Sequence, residues 1–190
     1  MRVLGISGSL RQDSFNSGLL RAAAELLPSG AELEVFDGLK AIPPYDADDD
    51  VSPAPEPVAA LREAIEAADA VLIATPEYNA SIPGVLKNAL DWASRPHATN
   101  PLRGKPAAVV GASTGMFGAV WAQAEARKVL STIGARVVDS ELPVPEGDER
   151  FDADGTLRDL EVEEQLAEIV VALVDAAEAR AAGLAARAAA

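Results

Sequence analysis

The amino-acid sequence predicts an α/β fold built on one parallel sheet. Three observations carry that expectation. Short apolar runs at residues 3–6, 70–74 and 107–111 have the length and composition of strands buried on both faces. Between them lie stretches with an apolar residue every three or four positions, the spacing of one helix face. Runs and helical stretches alternate along the chain, the order of a parallel sheet with crossover helices.

The elements follow in order. Val3, Leu4, Gly5 and Ile6 form the first strand-like run, ending at Ser7 and Gly8. Leu19, Leu20, Ala23, Leu26 and Leu27 mark a helix, stopped by Pro28 and Gly30. Leu33, Val35 and Phe36 form a second strand. Residues 37–57 show no period and are rich in Pro and Asp, so they read as a long surface loop. Val58, Leu61, Ile65 and Ala68 give a helix, residues 70–74 the third strand, and Val85, Leu86, Ala89, Leu90 and Ala93 another helix. Residues 96–105 are irregular. Residues 107–111 form the fourth strand, Ala126, Val129, Leu130 and Ile133 a helix closed by Gly134, and residues 135–138 the fifth strand. A charged loop leads to a last helix marked by Leu166, Ile169, Val170, Leu173 and Val174. Residues 1–178 are expected to be a single domain, followed by an Ala-rich tail at 179–190 that is frayed or packed on a partner.

Composition narrows the function. The 190 residues suit one domain with a real core. Thirty acidic against sixteen basic residues give a net charge of -14, which disfavours nucleic acid and anionic membranes as partners. There is no cysteine, which removes disulfides, thiolate nucleophiles and cysteine metal sites, and with them the low-molecular-weight tyrosine phosphatases. A single histidine, His97, removes a histidine metal cluster, so no metal site is expected. The first residues run straight into a strand, without a cationic and apolar leader, and no apolar run approaches the ~20 residues of a membrane span. A soluble, cytoplasmic protein is the expectation.

Ligands of open α/β sheets sit at the carboxyl ends of the strands. Three loops fall there, at residues 8–17, 75–83 and 112–118. The first has the chemistry of phosphate recognition. Ser9, Ser14, Asn16 and Ser17 can donate hydrogen bonds, Arg11 offers a charged fork, and a helix start offers free N–H groups. Helix capping by Ser14 or Asn16, with Arg11 at the surface, explains the same residues. The loop is neither G-x-G-x-x-G nor G-x-x-x-x-G-K-[ST], against a dinucleotide site or a P-loop. In the second loop Pro76 and Pro83 stiffen the backbone around Glu77, Tyr78 and Asn79, giving a planar ligand a rigid edge and an aromatic wall. An ordinary proline-rich connection is the alternative. The third loop holds Ser113, Thr114, Gly115 and Gly118, able to lie flat against a ring, with Met116 and Phe117 as a ligand wall or an interface. Lys87 and Asn88 read as a solvated Lys and a packing Asn, and His97 as a surface histidine. Neither His97 nor Glu77 is assigned acid–base work.

On these loops the chain resembles the NADPH-dependent FMN reductase family, a flavodoxin-like group with chromate and quinone reductases. The matching residues are Gly8, Ser9, Leu10 and Arg11 with Ser14 and Asn16; Pro76, Glu77, Tyr78 and Asn79, continuing through Pro83-Gly84 to Trp92; and Gly111, Ala112 and Ser113 with Gly115 and Gly118. The resemblance spans residue 2 to about residue 140.

It implies a flavodoxin-like three-layer sandwich with a five-stranded parallel sheet in order 2-1-3-4-5. It implies FMN as cofactor, its phosphate at Ser9, Arg11, Ser14, Asn16 and Ser17. The ring edge would lie at Pro76, Glu77, Tyr78 and Asn79, bordered by Ser113, Thr114 and Gly115. NAD(P)H would be the electron donor, and a quinone, flavin, azo compound or chromate-like species the small-molecule acceptor. Members are homodimers or homotetramers, with the helix from Val85 to Trp92 commonly at the interface. No protein side chain is expected to be catalytic, because the flavin carries the electron chemistry. A flavodoxin-like electron carrier and a non-catalytic ligand-binding protein are the competing readings. Arg95 and Arg103 are weak candidates for a contact to the 2′-phosphate of NADPH.

Overall fold

A computed structural model describes residues 1–189 of the chain. Five strands form the parallel sheet in the order β2-β1-β3-β4-β5: β1 (Arg2–Ser7), β2 (Glu32–Phe36), β3 (Ala70–Ala74), β4 (Pro106–Ala112) and β5 (Arg136–Val137). This is the flavodoxin-like 2-1-3-4-5 arrangement, a sheet between two helical layers. A sixth strand, β6 (Pro143–Val144), also pairs with β4.

Side-chain alternation divides the core. Val71 and Ile73 of β3 and Ala107 and Val109 of β4 pack on one face, against α2 (Glu56–Ala67), α3 (Gly84–Ala93) and α4 (Val120–Thr132). Ala70, Leu72 and Ala74, with Ala108, Val110 and Ala112, pack on the other, against α1 (Phe15–Leu26) and α6 (Leu160–Ala188). Both central strands are buried throughout, which is why they read as unbroken apolar runs. Edge strand β2 exposes Glu32 and Glu34 and pairs Glu34 with Arg2 at 3.0 Å, a charged edge that resists further strand pairing.

The expected fifth strand, 135–138, is split. After Val137 the chain leaves the sheet and returns at Pro143. Arg127 of α4 contacts the intervening segment, pairing with Asp139 at 2.7 Å and bonding the Ser140 carbonyl. The buried Gln123 side chain fills the gap: its amide oxygen accepts from Leu142 N–H and its NH2 donates to Leu142 C=O, both at 3.1 Å.

The long 37–57 loop is pinned rather than loose. It contains two short 3-10 turns, and Leu39 and Ile42 are buried in it. Asn88 donates to Pro43 C=O at 2.8 Å and accepts from Tyr45 N–H at 2.7 Å. Trp92 donates its indole N–H to the same Pro43 carbonyl at 2.8 Å, and its ring meets Tyr45 edge-on at 4.9 Å. Asn88 is therefore the packing residue expected, and Lys87 pairs with Asp91. Lys105, buried ahead of β4, caps the end of α2 through the carbonyls of Ile65, Glu66 and Ala68. Burial, with Arg180 nearby, pushes its amine down to about 8.

α6 begins six residues before the first residue that marked it. Asp159 caps it, accepting from Glu161 N–H at 3.0 Å and Val162 N–H at 3.1 Å. The Ala-rich stretch continues the same helix to Ala188, as alanine propensity favours. The cap bonds and Arg150 hold the Asp159 carboxyl below its ordinary 3.8. A depressed carboxyl contributes stability that is present above the unfolded value and lost as pH falls through the folded one. Below pH 3.8, the stability of Asp159→Asn is therefore expected to fall less steeply with acid than that of the parent. Urea titrations across that range measure the slope.

Candidate functional site

The carboxyl ends of β1, β3 and β4 gather the three loops around one cleft of about 180 Å³. Ser9, Arg11, Ser14 and Asn16 line it from the first loop, Pro76, Glu77 and Tyr78 from the second, and Ser113 and Thr114 from the third. Phe15 and Ala112 complete the lining. Ser17, Asn79 and Gly115, also expected at the site, are not in the lining.

The first loop is tied to the strand tip by Ser7. Its hydroxyl lies 3.1 Å from Ser17 Oγ and accepts from Ser9 N–H at 3.4 Å. Gly8 has no room for a side chain: a Cβ there would lie 3.1 Å from a Leu86 methyl and 3.2 Å from Pro76 Cδ. Ser14 precedes α1 but does not cap it, and its hydroxyl, in the lining of the cleft, makes no hydrogen bond among the described residues. The first backbone acceptance inside α1 is by Ser14 C=O from Gly18 N–H, so the N–H groups of Phe15, Asn16 and Ser17 face outward from the helix start. Arg11 lies over the Phe15 ring, 5.0 Å from its centroid, and donates to Asp13 C=O.

Asn16 does something the sequence did not disclose. It is 3 % exposed, and its amide bonds both ways to the backbone of Ala112: Nδ2 donates to C=O and Oδ1 accepts from N–H, each at 3.0 Å. The side chain thus clamps the first loop to the tip of β4, beside the third loop.

Two carboxylates of opposite origin hold the second loop to α4. Glu77 accepts from Trp121 N–H at 3.0 Å and Ala122 N–H at 3.1 Å, capping α4 from 44 residues away. Glu125 of α4 returns the contact, accepting from Ser81 Oγ and Ile82 N–H. Between them Tyr78 and Ser81 close a tight turn whose central residues, Asn79 and Ala80, have φ of 55° and 58°. α4 accordingly starts at Val120, earlier than its apolar period implied. Removing the cap with Glu77→Ala should cost about 1 kcal/mol in stability, read as the urea midpoint of flavin-free protein.

The third loop is held by the same helix. Gln123 Nε2 donates to Gly118 C=O at 3.1 Å. Gly118, at φ +57°, passes so close to Pro143 and Val144 that a Cβ would lie 2.6 Å from their backbone. Beyond it, Met116, Phe117 and Trp121 are exposed, with the last two rings 4.8 Å apart. Tyr78 is also half exposed at this rim.

Electrostatics selects this cleft over its larger neighbour. A groove of about 710 Å³ shares Arg11 and Phe15, but its four aspartates, Asp13, Asp148, Asp152 and Asp154, outnumber its three arginines, Arg11, Arg21 and Arg158, and Arg158 is paired with Asp152, so its balance is negative. The smaller cleft has uncommitted donors at its α1 end and the half-exposed Tyr78 ring at the other. That donor set fits the phosphate of a flavin mononucleotide.

One expectation changes. Arg103 lies by the starts of β4 and β5, at the opposite end of the sheet from the cleft, and cannot serve a 2′-phosphate there. No residue of the acidic 46–50 stretch lines the cleft. Among the described residues no group of His, Asp or Glu is placed to hold a metal, and no helix is long and apolar enough to cross a membrane.

Comparison with known proteins agrees with this geometry. The chain is 45% identical over 174 residues to an NAD(P)H-dependent FMN reductase of Pseudomonas aeruginosa, covering 91% of this chain and 93% of that one. It is 41% identical over 158 residues to a 2-hydroxy-1,4-benzoquinone reductase of a Burkholderia species, covering 83% and 85%. Among solved structures it is similar to FerB, a flavoenzyme NAD(P)H:(acceptor) oxidoreductase of Paracoccus denitrificans, with a TM-score of 0.84 at 39% identity over 93% of this chain and 97% of that one. The sequence model of the NADPH-dependent FMN reductases matches residues 1–149, and the chain belongs to that family.

Proposed function

We propose that this protein uses FMN and NAD(P)H to reduce quinone-type acceptors. The observation that carries the reading is the cleft itself, with free phosphate-binding donors at one end and the half-exposed Tyr78 ring at the other. Ser9, Arg11, Ser14 and the first N–H groups of α1 bind the phosphate. Asn16 and Ser17 position that loop through Ala112 and Ser7. Residues 76–79 meet the ring edge, held in register by Glu77 and Glu125, and Ser113, Thr114 and Gly115 border it. When bound, the flavin takes hydride from NAD(P)H and passes electrons to the acceptor.

The exposed Tyr78 ring suits a flat uncharged acceptor, whereas a net charge of -14 works against chromate. The names of the relatives point the same way, since the Burkholderia protein is a benzoquinone reductase. The protein acts in the cytoplasm, where its nicotinamide donor is found. It works as a homodimer or homotetramer, and Met116, Phe117 and Trp121 are the surface a neighbouring subunit covers. Residues 1–178 are the flavin-binding unit, and 179–190 are dispensable for it.

The purified protein should carry FMN and oxidise NAD(P)H with a benzoquinone acceptor, with no partner reductase added. Absence of flavin uptake on titration overturns the cofactor assignment. Flavin uptake without direct NAD(P)H oxidation makes the protein a carrier instead.

A further inference from the structure

A second concave site lies at the other end of the molecule. Arg103, Arg136, Arg180 and Arg187 surround a cavity of about 250 Å³, with Gly183 and Leu184 in its wall. Arg103 precedes β4, Arg136 opens β5, and the other two stand about two turns apart on the last part of α6. The cavity therefore sits at the amino ends of the strands, away from the flavin cleft at their carboxyl ends.

Its charge is unusual in this chain. Four of the sixteen basic residues meet there, in a protein of net charge -14. Among the described residues none of the four is in an ion pair, although Arg2, Arg62, Lys87, Arg127, Arg150 and Arg158 all are. Arg103 donates to His97 C=O at 3.2 Å, and Arg187 suits the carboxyl end of its helix. Arg136 is exposed and Arg180 half-buried, and among the described residues their guanidiniums make no hydrogen bond. Glu66 and Asp69 act on the neighbouring Lys105 and pair with none of the four. Like charges held together with no carboxylate between them repel, and a bound anion relieves that cost.

The floor is also kept open. Gly183 is inside a helix, where glycine costs about 1 kcal/mol against alanine. A Cβ built on it meets nothing within 4 Å. The space is large enough for more than one phosphate, and each guanidinium presents a fork that matches phosphate oxygens.

We propose that this arginine-lined concavity binds a small ligand bearing a diphosphate. A compact anion is favoured over an extended polyanion. At physiological salt, fields are screened within ~8 Å, so a small ligand in the cavity feels the arginines while a long one also meets the acidic surface. The site stands independently of the flavin reading.

The test is calorimetric titration of the full-length, flavin-loaded protein with inorganic pyrophosphate at physiological salt. One saturable site is expected. Arg136→Ala and Arg180→Ala should each weaken it about tenfold. Gly183→Glu should abolish it, because a carboxylate then enters open space on a residue that favours helix. Circular dichroism and flavin content should match the parent in all three. Arg11→Ala, at the other end of the sheet, should leave pyrophosphate binding unchanged. ADP binding as tightly as pyrophosphate assigns the site to nucleotides, and weaker ADP binding assigns it to the free diphosphate. Absence of pyrophosphate binding, its persistence in Gly183→Glu, its loss in Arg11→Ala, or equal affinity for orthophosphate overturns the proposal.

Discussion

Replacing Asn16 with leucine is expected to destabilise the flavin-free protein by about 2–6 kcal/mol, a large part of the whole for a domain this size. Leucine keeps the branching of asparagine at Cγ but is larger and has no amide, so it cannot replace the clamp. Ala112, 1 % exposed, would keep its N–H and C=O in the interior and lose the partner of both, now at 3.0 Å. Each orphaned buried group costs about 1–3 kcal/mol. The same clamp brings the first and third loops to one cleft, so flavin retention should fall with stability. Urea unfolding measures the first effect, and flavin content after gel filtration the second. A loss below about 1 kcal/mol would mean that the clamp is solvated and the loops are held by other means.

Arg11→Ala should separate binding from folding. The side chain is exposed, and its contacts are the Phe15 face and the Asp13 carbonyl, so stability should change by less than about 0.5 kcal/mol. FMN affinity should fall by about 1.5–3 kcal/mol, roughly ten- to 150-fold, the worth of a charge-assisted phosphate bond. Riboflavin, which lacks the phosphate, should bind parent and variant alike. Arg11→Lys should recover part of the loss, since it restores the charge without the planar fork. Fluorescence titration with both flavins gives the comparison. Unchanged FMN affinity in Arg11→Ala sinks the assignment of this residue to the phosphate.

The two residues show where reading a sequence succeeds and where it stops. Asn16 and Arg11 stand five apart in one loop and were legible as the same kind of residue, a hydrogen-bond donor near a helix start. Folding gives them different work. The clamp of Asn16 spans 96 residues, and no local pattern encodes such a partner. The start of α4 was missed for the same reason. Its cap is Glu77, 44 residues upstream, while a helix start is read from the residue just before it. Glu125 and Gln123, which hold the second and third loops, stand on a helix whose period explains apolar positions only. Arg127 likewise ties α4 to Asp139, between β5 and β6, again a contact between elements.

What the sequence by itself determined is the set of buried strands, the alternation that makes the sheet parallel, and the chemistry of the three loops at its carboxyl end. Those depend on period and composition, which act over a few residues. The strand order came with the family resemblance, not with the pattern. Only the tertiary structure decided which polar side chains remain free for a ligand and which hold the loops together. It also brought Arg103 to the far end of the sheet beside Arg136, Arg180 and Arg187. The physical reason is that a polar group's role depends on whether the folded chain supplies a partner, and in this protein the partners come from distant elements.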